Sequence, residues 1–231
     1  MGKITGLEDI HQIPPKVHQM YEAVMQLLEE GAEVADVRVS TITERAGIGK
    51  GTAYEYFDTK DEIVACAILY QIRRIFSWLG EQLGEQGDFR QQVSFLLDVV
   101  EQKESCKASF LRFVHLMTSN SGFDRMVREK MNAEAFTPYR PVNIFGKIVR
   151  QGMERGELRK DLPMDYMMHC VFSHLLTYML TIASRDCFRV MASDMRPFVH
   201  QGILNELCVR EDDYSKKESI LTKSCVGDKI S

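Results

Sequence analysis

The sequence predicts an all-α fold, with an N-terminal helix-turn-helix three-helix domain followed by a larger helical domain. Apolar residues recur at spacings of three and four along nearly the whole chain of 231 residues, which is the period of a helix. No segment sustains the alternation of apolar and polar residues that marks a strand. Two short periodic segments flank Gly47, and paired short helices of this kind form a helix-turn-helix.

The first predicted helix begins at Pro14–Pro15 and ends at Gly31, because proline suits a first turn and glycine commonly follows a last turn. Two short helices are predicted next, over residues 39–46 and 50–56, with Gly47 between them. The apolar face of the first helix, which should pack on the other two, consists of Val17, Met20, Tyr21, Val24, Leu27 and Leu28.

A fourth helix is predicted to begin after Thr59 and to run to Leu83, where Gly84 and Gly87 interrupt it. Thr59 and Glu62 have the spacing of a capping box, in which each side chain bonds the backbone N–H of the other residue. Further helices are predicted near 88–103, 106–118, 121–135, 141–155, 163–184 and 194–208, the last of them capped by Asp194.

The predicted helix over 163–184 is apolar on all sides. Such a helix must be covered all round, so we expect the domain interior on one face and a partner subunit on the other. Together with the helix over 194–208, it would pair with its copy in a homodimer. The polar tail over 209–231 is expected to be mobile.

Charge alone does not favour a nucleic-acid partner. The formal net charge is −4, and residues 1–60 hold six Lys or Arg against ten Asp or Glu. The sequence also lacks a secretory leader and an apolar run of about 20 residues, so we expect a cytoplasmic protein with no membrane partner. Any binding of DNA must therefore depend on where the cations lie.

The informative stretch runs from Val39 to Ile63. Its inward set is predicted to pack against Val24 and Leu28 of the first helix, and consists of Ala46, Ile48, Ala53 and Phe57. The outward side of the second short helix then presents a cation, a glycine and hydroxyl groups, namely Lys50, Gly51, Thr52, Tyr54 and Tyr56. These groups suit a surface that approaches phosphates and base edges in a major groove.

The same stretch resembles the DNA-binding signature of TetR-family repressors. The resemblance covers about 45 residues and is strongest in the run Ala46-Gly47-Ile48-Gly49-Lys50-Gly51-Thr52 and in Tyr54, Tyr56-Phe57 and Lys60 to Ile63. Gly49 and Thr59 each replace a frequent serine, and Ala53 replaces a larger aliphatic residue. The resemblance implies that the family's usual DNA-contact positions are occupied by Ser40, Lys50, Gly51, Thr52, Tyr54, Tyr56 and Lys60.

The resemblance also implies an organisation into parts. Residues 1–60 would bind DNA, residues 61–208 would form a helical effector-binding and dimerisation domain, and residues 209–231 would be the tail. The expected partners are a double-stranded, palindromic DNA operator, a second copy of the chain and an unknown small-molecule effector. Methionine and aromatic side chains suit an adaptable apolar pocket, and on this ground the candidate pocket residues are Phe113, Met117, Tyr139, Met168 and Phe172.

The remaining chemistry-bearing residues show no catalytic or metal-binding pattern. Six cysteines form no CxxC pair and are expected to be reduced and mostly buried. His169 and His174 are five residues apart, so a core or pocket-lining role is expected rather than a metal site. No GxSxG, HExxH or phosphate-binding loop occurs, so neither enzymatic activity nor a cofactor is predicted.

Two alternatives to an effector-responsive repressor stay open. One is an all-α small-molecule-binding or enzymatic protein whose helix-turn-helix is only structural. It would show no salt-dependent DNA binding. The other is a DNA-binding protein that responds to a protein partner instead of a small molecule.

Overall fold

The computed structural model describes residues 3–102, 104–184 and 191–209, without the side chains of 104–109 and 192. Within these ranges the chain is helical and has no strand, only an isolated bridge between Leu158 and Cys208. The all-α prediction is therefore confirmed. The predicted tail lies outside the described residues from 210 onward, as do the side chains of Cys106, Cys187 and Cys225.

The first four helices lie where the sequence predicts them. They are α1 (Pro15–Glu29), α2 (Val39–Arg45), α3 (Lys50–Tyr56) and α4 (Lys60–Glu85). All six residues of the predicted apolar face of α1 are buried. One expectation is wrong, because α4 continues through Gly84 to Glu85. A single helical glycine costs only about 1 kcal/mol, too little to end a helix of this length.

The start of α4 has the predicted capping box. The Glu62 N–H donates to Thr59 Oγ1 at 3.2 Å, and Glu62 Oε2 accepts from the backbone N–H groups of Asp58 at 2.8 Å and Thr59 at 3.4 Å. The two side chains thus satisfy backbone donors that have no partner within the helix.

The later helices agree with the predictions except at two places. They are α5 (Phe89–Gln102), α6 (Glu104–Thr118), α7 (Gly122–Met131), α8 (Pro141–Glu154), α9 (Met164–Ala183) and α10 (Ala192–Leu207). The predicted helix over 121–135 is too long, because α7 ends at Met131 and a 3-10 turn with Pro138 inside it follows over Glu134–Tyr139. Asp194 is not the cap of α10, because Met191 holds that position and Asp194 lies in the first turn.

Packing divides the chain into two compact units. The first unit contains Met1–Gln82 and Glu104–Ile144, and the second contains Leu83–Lys103 and Phe145–Ser231. In the first unit α1 packs on α2 and α3, and α6 packs on α7. In the second unit α9 packs on α10, and both pack on α5. The domain boundaries predicted at residues 60 and 208 stay predictions.

Two helices are long and apolar enough to cross a membrane by length and hydropathy alone, namely α4 and α9. The most apolar window of α4 is 72% buried inside the protein, which is typical of a core helix. The corresponding window of α9 is only 39% buried. The apolar surface of α9 that remains exposed therefore needs a separate explanation.

Candidate nucleic-acid interface

The turn between α2 and α3 depends on Gly47. This glycine has a φ of +66°, a left-handed conformation that favours glycine over residues with a Cβ. Its N–H donates to the Glu44 carbonyl at 3.1 Å, and the Ile48 N–H donates to the Thr43 carbonyl at 3.0 Å. These two bonds end α2 and redirect the chain into α3 within a few residues, as a helix-turn-helix requires.

The inward face of α3 is anchored as predicted. Ala53 and Phe57, which lie four residues apart, are both buried. The Phe57 ring packs against Tyr21 of α1, with 6.2 Å between ring centroids. Because α3 has only two turns, this anchoring rather than helix propensity must hold it in place.

The outward face of α3 carries most of the predicted contact residues. Lys50 and Gly51 are exposed and Thr52 is half-buried, while the Tyr54 side chain is 46% exposed. Ser40 is exposed in the first turn of α2. We call these five residues the reading surface: Ser40, Lys50, Gly51, Thr52 and Tyr54.

The predicted outward placement of Tyr56 is wrong. Tyr56 is only 6% exposed, because it follows Ala53 by three residues and therefore shares the buried face of α3. Its carbonyl oxygen accepts a hydrogen bond from the Ile4 N–H at 3.0 Å. A contact of Tyr56 with DNA stays a prediction, and Tyr56 does not belong to the reading surface as defined.

Lys60 lies at the capped start of α4, and its ammonium already has protein partners. Nζ donates to the carbonyl oxygens of Val34 at 3.0 Å and Ala35 at 3.4 Å, and lies 3.2 Å from an Asp61 carboxylate oxygen. Lys60 therefore ties the loop between α1 and α2 to α4. A phosphate would have to share this cation with the two carbonyl groups.

A segment that sequence reasoning missed holds the other end of α3. We call residues 3–8 the N-terminal strap. The Lys3 ammonium donates to the Tyr54 carbonyl at 2.7 Å and the Phe57 carbonyl at 3.3 Å, and it pairs with Asp58 at 2.8 Å. A cation at the C-terminal end of α3 also stabilises the helix dipole. The strap has no helical period, so the sequence offers only Lys3 as a hint of this role.

The strap also contacts α4 and α7 in the same unit. Arg73 donates to the Gly6 carbonyl at 3.2 Å, and Lys130 donates to the Thr5 carbonyl at 2.7 Å. Gly6 has a φ of +84°, and a Cβ there would lie 2.9 Å from Cys66 Sγ. The strap therefore passes too close to α4 to tolerate a side chain at Gly6.

Replacing Gly6 with alanine is expected to destabilise the protein by more than about 1 kcal/mol, because the change adds a clash to an unfavourable φ. The midpoint of urea unfolding measures the effect. Gly122→Ala is the matched control, because Gly122 is exposed, lies in the first turn of α7 and has nothing within 4 Å of its added Cβ. Equal stability of the two variants would show that the strap does not pack on Cys66 in solution.

The five candidate pocket residues lie in both units. In the first unit, Phe113 packs on Phe76 at 6.0 Å between centroids, Tyr139 stacks under the Arg73 guanidinium at 4.7 Å, and Met117 is exposed. In the second unit, Phe172 packs on Phe145 at 6.4 Å, and Met168 is half-buried. Their role in effector binding stays a prediction.

The described cysteines are buried or half-buried free thiols. Burial raises the pKa of Cys66 and of Cys170 to about 12, so both remain protonated at neutral pH and are poor nucleophiles. No group of three His, Cys, Asp or Glu side chains suited to a metal ion occurs among the described residues.

Comparison with known proteins identifies relatives of both the interface and the fold. Residues 22–66 match the family described as bacterial regulatory proteins, tetR family. The fatty acid metabolism regulator protein of Bacillus subtilis (strain 168) is 22% identical over 158 residues, which cover 68% of this chain and 78% of that protein.

Two solved structures have a similar fold. A fatty acid degradation regulator from Bacillus halodurans has a TM-score of 0.64 at 22% identity, covering 84% of this chain and 96% of the other. A transcriptional regulator from Bacillus subtilis in complex with stearoyl-CoA has a TM-score of 0.60 at 17% identity, covering 81% and 97%. The family match spans α2, α3 and the turn between them, which contain the reading surface.

Proposed function

Because the chain belongs to the TetR family of bacterial transcriptional regulators, we propose that it is a repressor whose reading surface binds a palindromic operator. The observation that carries the proposal is the division of α3 into two faces. Ala53 and Phe57 fix one face to the protein, and Lys50, Gly51 and Tyr54 leave the other open to solvent.

Each residue of the reading surface has a chemical role in this proposal. Lys50 lies in the first turn of α3, from which its ammonium can reach guanine O6 and N7 or a phosphate. Gly51 lets the backbone approach DNA closely. The hydroxyl groups of Ser40, Thr52 and Tyr54 donate to phosphate oxygens, which set the register of the protein on the duplex.

The proposal includes a homodimer formed through α9 and α10. Among the residues of α9 that are not buried, six recur at spacings of three and four, and none of these six is charged: Tyr166, His169, Ser173, Leu176, Leu180 and Ala183. This is the spacing of a helix–helix contact seam. On α10, Phe198 is 74% exposed. We define these seven residues as the dimer stripe.

A second subunit explains the dimer stripe better than a membrane does. The partly exposed face of α9 carries His169, Ser173 and Thr177 between its apolar residues, and a lipid-facing helix does not place polar side chains in this way. On α10, the exposed residues beside Phe198 include Asp194, Gln201 and Asn205. This mixture is typical of the rim of a protein interface.

An effector would act by shifting the spacing of the two reading surfaces in the dimer. Half-sites one helical turn apart are separated by about 34–36 Å, so a small pivot of each subunit misplaces both α3 helices. The effector must then bind the misplaced arrangement more tightly than the DNA-bound one. Because a similar regulator was solved with stearoyl-CoA, long-chain acyl thioesters are the first class to test.

We further propose that the protein acts in the cytoplasm, where its operator lies, and has no enzymatic activity. The competing reading is an all-α binding or enzymatic protein with a purely structural helix-turn-helix. This alternative does not explain why the solvent-exposed face of α3 carries a cation and hydroxyl groups. A DNA-binding protein that answers to a protein partner would instead give no response to any small effector.

The decisive experiment is capture of genomic DNA fragments from upstream of the protein's own gene at several salt concentrations. Saturable binding to one short palindrome, at least about 1,000-fold tighter than to random DNA, is the expected result. Weak and uniform binding that disappears with modest salt would overturn the proposal.

Two substitutions near α3 are expected to weaken operator binding across all sequences. Tyr54→Ala removes a phosphate donor and should cost about tenfold in affinity. Lys60→Ala should also lower the slope of log affinity against log salt by about 1. Fluorescence anisotropy across a salt series measures both effects. Lys147→Ala is the control, because Lys147 is exposed on α8 in the second unit. Unchanged affinity in both variants would mean that another surface reads the DNA.

A further inference from the structure

A cavity in the first unit is lined by the helix-turn-helix region on one side and by α6 and α7 on the other. Its volume is about 230 Å³. One wall is formed by the end of α1 and the loop that leads to α2, including Leu28, Gly31 and Val34. The other walls come from Ile68 of α4, from α6 and from the start of α7. None of the candidate pocket residues predicted from the sequence lines it.

The cavity contains a guanidinium that has no hydrogen-bond or ion-pair partner among the described residues. Arg112 of α6 lines it and is half-buried, and burial lowers the pKa of Arg112 despite the opposing effects of Asp124 and Glu33. Arg112 makes no hydrogen bond or ion pair with any residue that the structure describes. By contrast, Arg45, Arg155 and Arg196 each pair with a carboxylate within 2.8 Å. A cation removed from water without a partner is costly.

The two acidic residues of the cavity, Asp124 and Glu33, do not serve as ion-pair partners of Arg112. Asp124 already accepts hydrogen bonds from the hydroxyl groups of Ser119 and Ser121. Burial acts to raise the pKa of Asp124, but these hydrogen bonds hold that pKa below its usual value. Glu33 is exposed to solvent and lies beyond ion-pair distance of Arg112. The guanidinium is therefore available to a ligand.

The rest of the lining defines the ligand's other end. Leu28, Ile68, Leu116 and Phe123 supply an apolar wall. At 230 Å³, the cavity is smaller than the roughly 300–1,000 Å³ of pockets that hold drug-sized ligands. This size favours a short carboxylate over a long acyl chain.

We propose that this cavity binds a small organic anion, with its carboxylate paired to the Arg112 guanidinium and a short apolar body against Leu28, Ile68 and Phe123. A planar carboxylate matches the two-pronged geometry of a guanidinium. His115, whose Nε2 lies 3.8 Å from Asp124 Oδ2, flanks the cavity at its exposed edge.

The position of the cavity links it to DNA binding, and this link rests on the proposed function. The loop that forms one wall also supplies the Val34 carbonyl that accepts from Lys60. A ligand held between this loop and Arg112 would fix the distance from α6 to the helix-turn-helix. Binding itself requires no DNA, so the site can be tested even if the operator proposal fails.

The test uses the full chain and hexanoate as the probe, with calorimetry for affinity and the Ile68 methyl signal in NMR for location. Saturable binding with a shift of the Ile68 methyl is expected. Arg112→Gln should weaken it by about tenfold or more. Arg125→Gln is the matched control, because Arg125 is exposed on α7. Its affinity should equal that of the unmodified protein.

Two comparison probes separate the charge from the apolar body. If the carboxylate pairs with Arg112, hexanol should bind at least about tenfold more weakly than hexanoate. If the apolar wall contributes, inorganic phosphate should also bind at least about tenfold more weakly than hexanoate. The proposal is overturned if Arg112→Gln binds hexanoate as tightly as the unmodified protein. It is equally overturned if the Ile68 methyl does not move at saturating hexanoate.

Discussion

Replacing Leu180 with aspartate is expected to convert the dimer to a monomer and to weaken operator binding by about 100-fold or more. Leu180 is 39% exposed and belongs to the uncharged dimer stripe on α9. In a dimer, the aspartate would bury a charge without a partner. A monomer loses the effective concentration that links the two half-sites, which is worth about 10² to 10⁴ in affinity.

Light scattering at micromolar concentration measures the assembly state, and anisotropy on the full palindrome and on a single half-site measures binding. The half-site affinity should be unchanged in Leu180→Asp, because α3 is untouched. Val142→Asp is the matched control, since Val142 is an exposed apolar residue outside the dimer stripe. A Leu180→Asp protein that remains dimeric would show that the dimer stripe is not the interface between the two subunits.

Truncating Phe57 to alanine is expected to lower the free energy of unfolding by about 3–5 kcal/mol. Phe57 is 1% exposed and packs on Tyr21, so the substitution leaves a cavity between α1 and the end of α3. The loss approaches the whole stability of a typical domain. Urea unfolding followed by circular dichroism gives the free energy and shows whether the transition remains cooperative.

The Tyr54→Ala variant serves as the counterpart on the opposite face of α3. Tyr54 is half-exposed, so its truncation should change stability by less than about 0.5 kcal/mol while weakening DNA binding. Phe57→Ala should instead lower stability strongly. At low temperature, where part of the protein is still folded, that folded fraction should bind DNA with nearly unchanged affinity. Equal destabilisation by both substitutions would contradict the two-faced arrangement of α3.

The sequence predicts the elements with strong local signals and misses those that depend on distant contacts. The capping box at Thr59 and Glu62 and the turn at Gly47 are local, and α1 to α4 begin within a residue or two of their predicted positions. The sequence misplaces Tyr56 because the face that this residue occupies depends on where α3 packs, and the family signature does not encode burial. Asp194 resembles a cap in sequence, yet α10 begins two residues earlier.

The strap and the Arg112 cavity could not be predicted for a related reason. Residues 3–8 have no period, and their partners Arg73 and Lys130 lie far away in the chain. Arg112 belongs to an ordinary helical pattern, and its place in a cavity that the α1–α2 loop also lines arises only in the folded chain. Each feature arises from three or more elements that come together only in the folded chain.

The strap has a consequence for the order of events on the ribosome. The helix-turn-helix is complete once Lys60 has been synthesised, but the bond from Lys130 to Thr5 cannot form until the chain has grown to Lys130, 125 residues after Thr5. A nascent chain that has released only α1 to α3 therefore lacks the contacts of the strap with α4 and α7. Translation products that stop before α7 would hold α3 less firmly and should compete poorly for the operator with the finished protein.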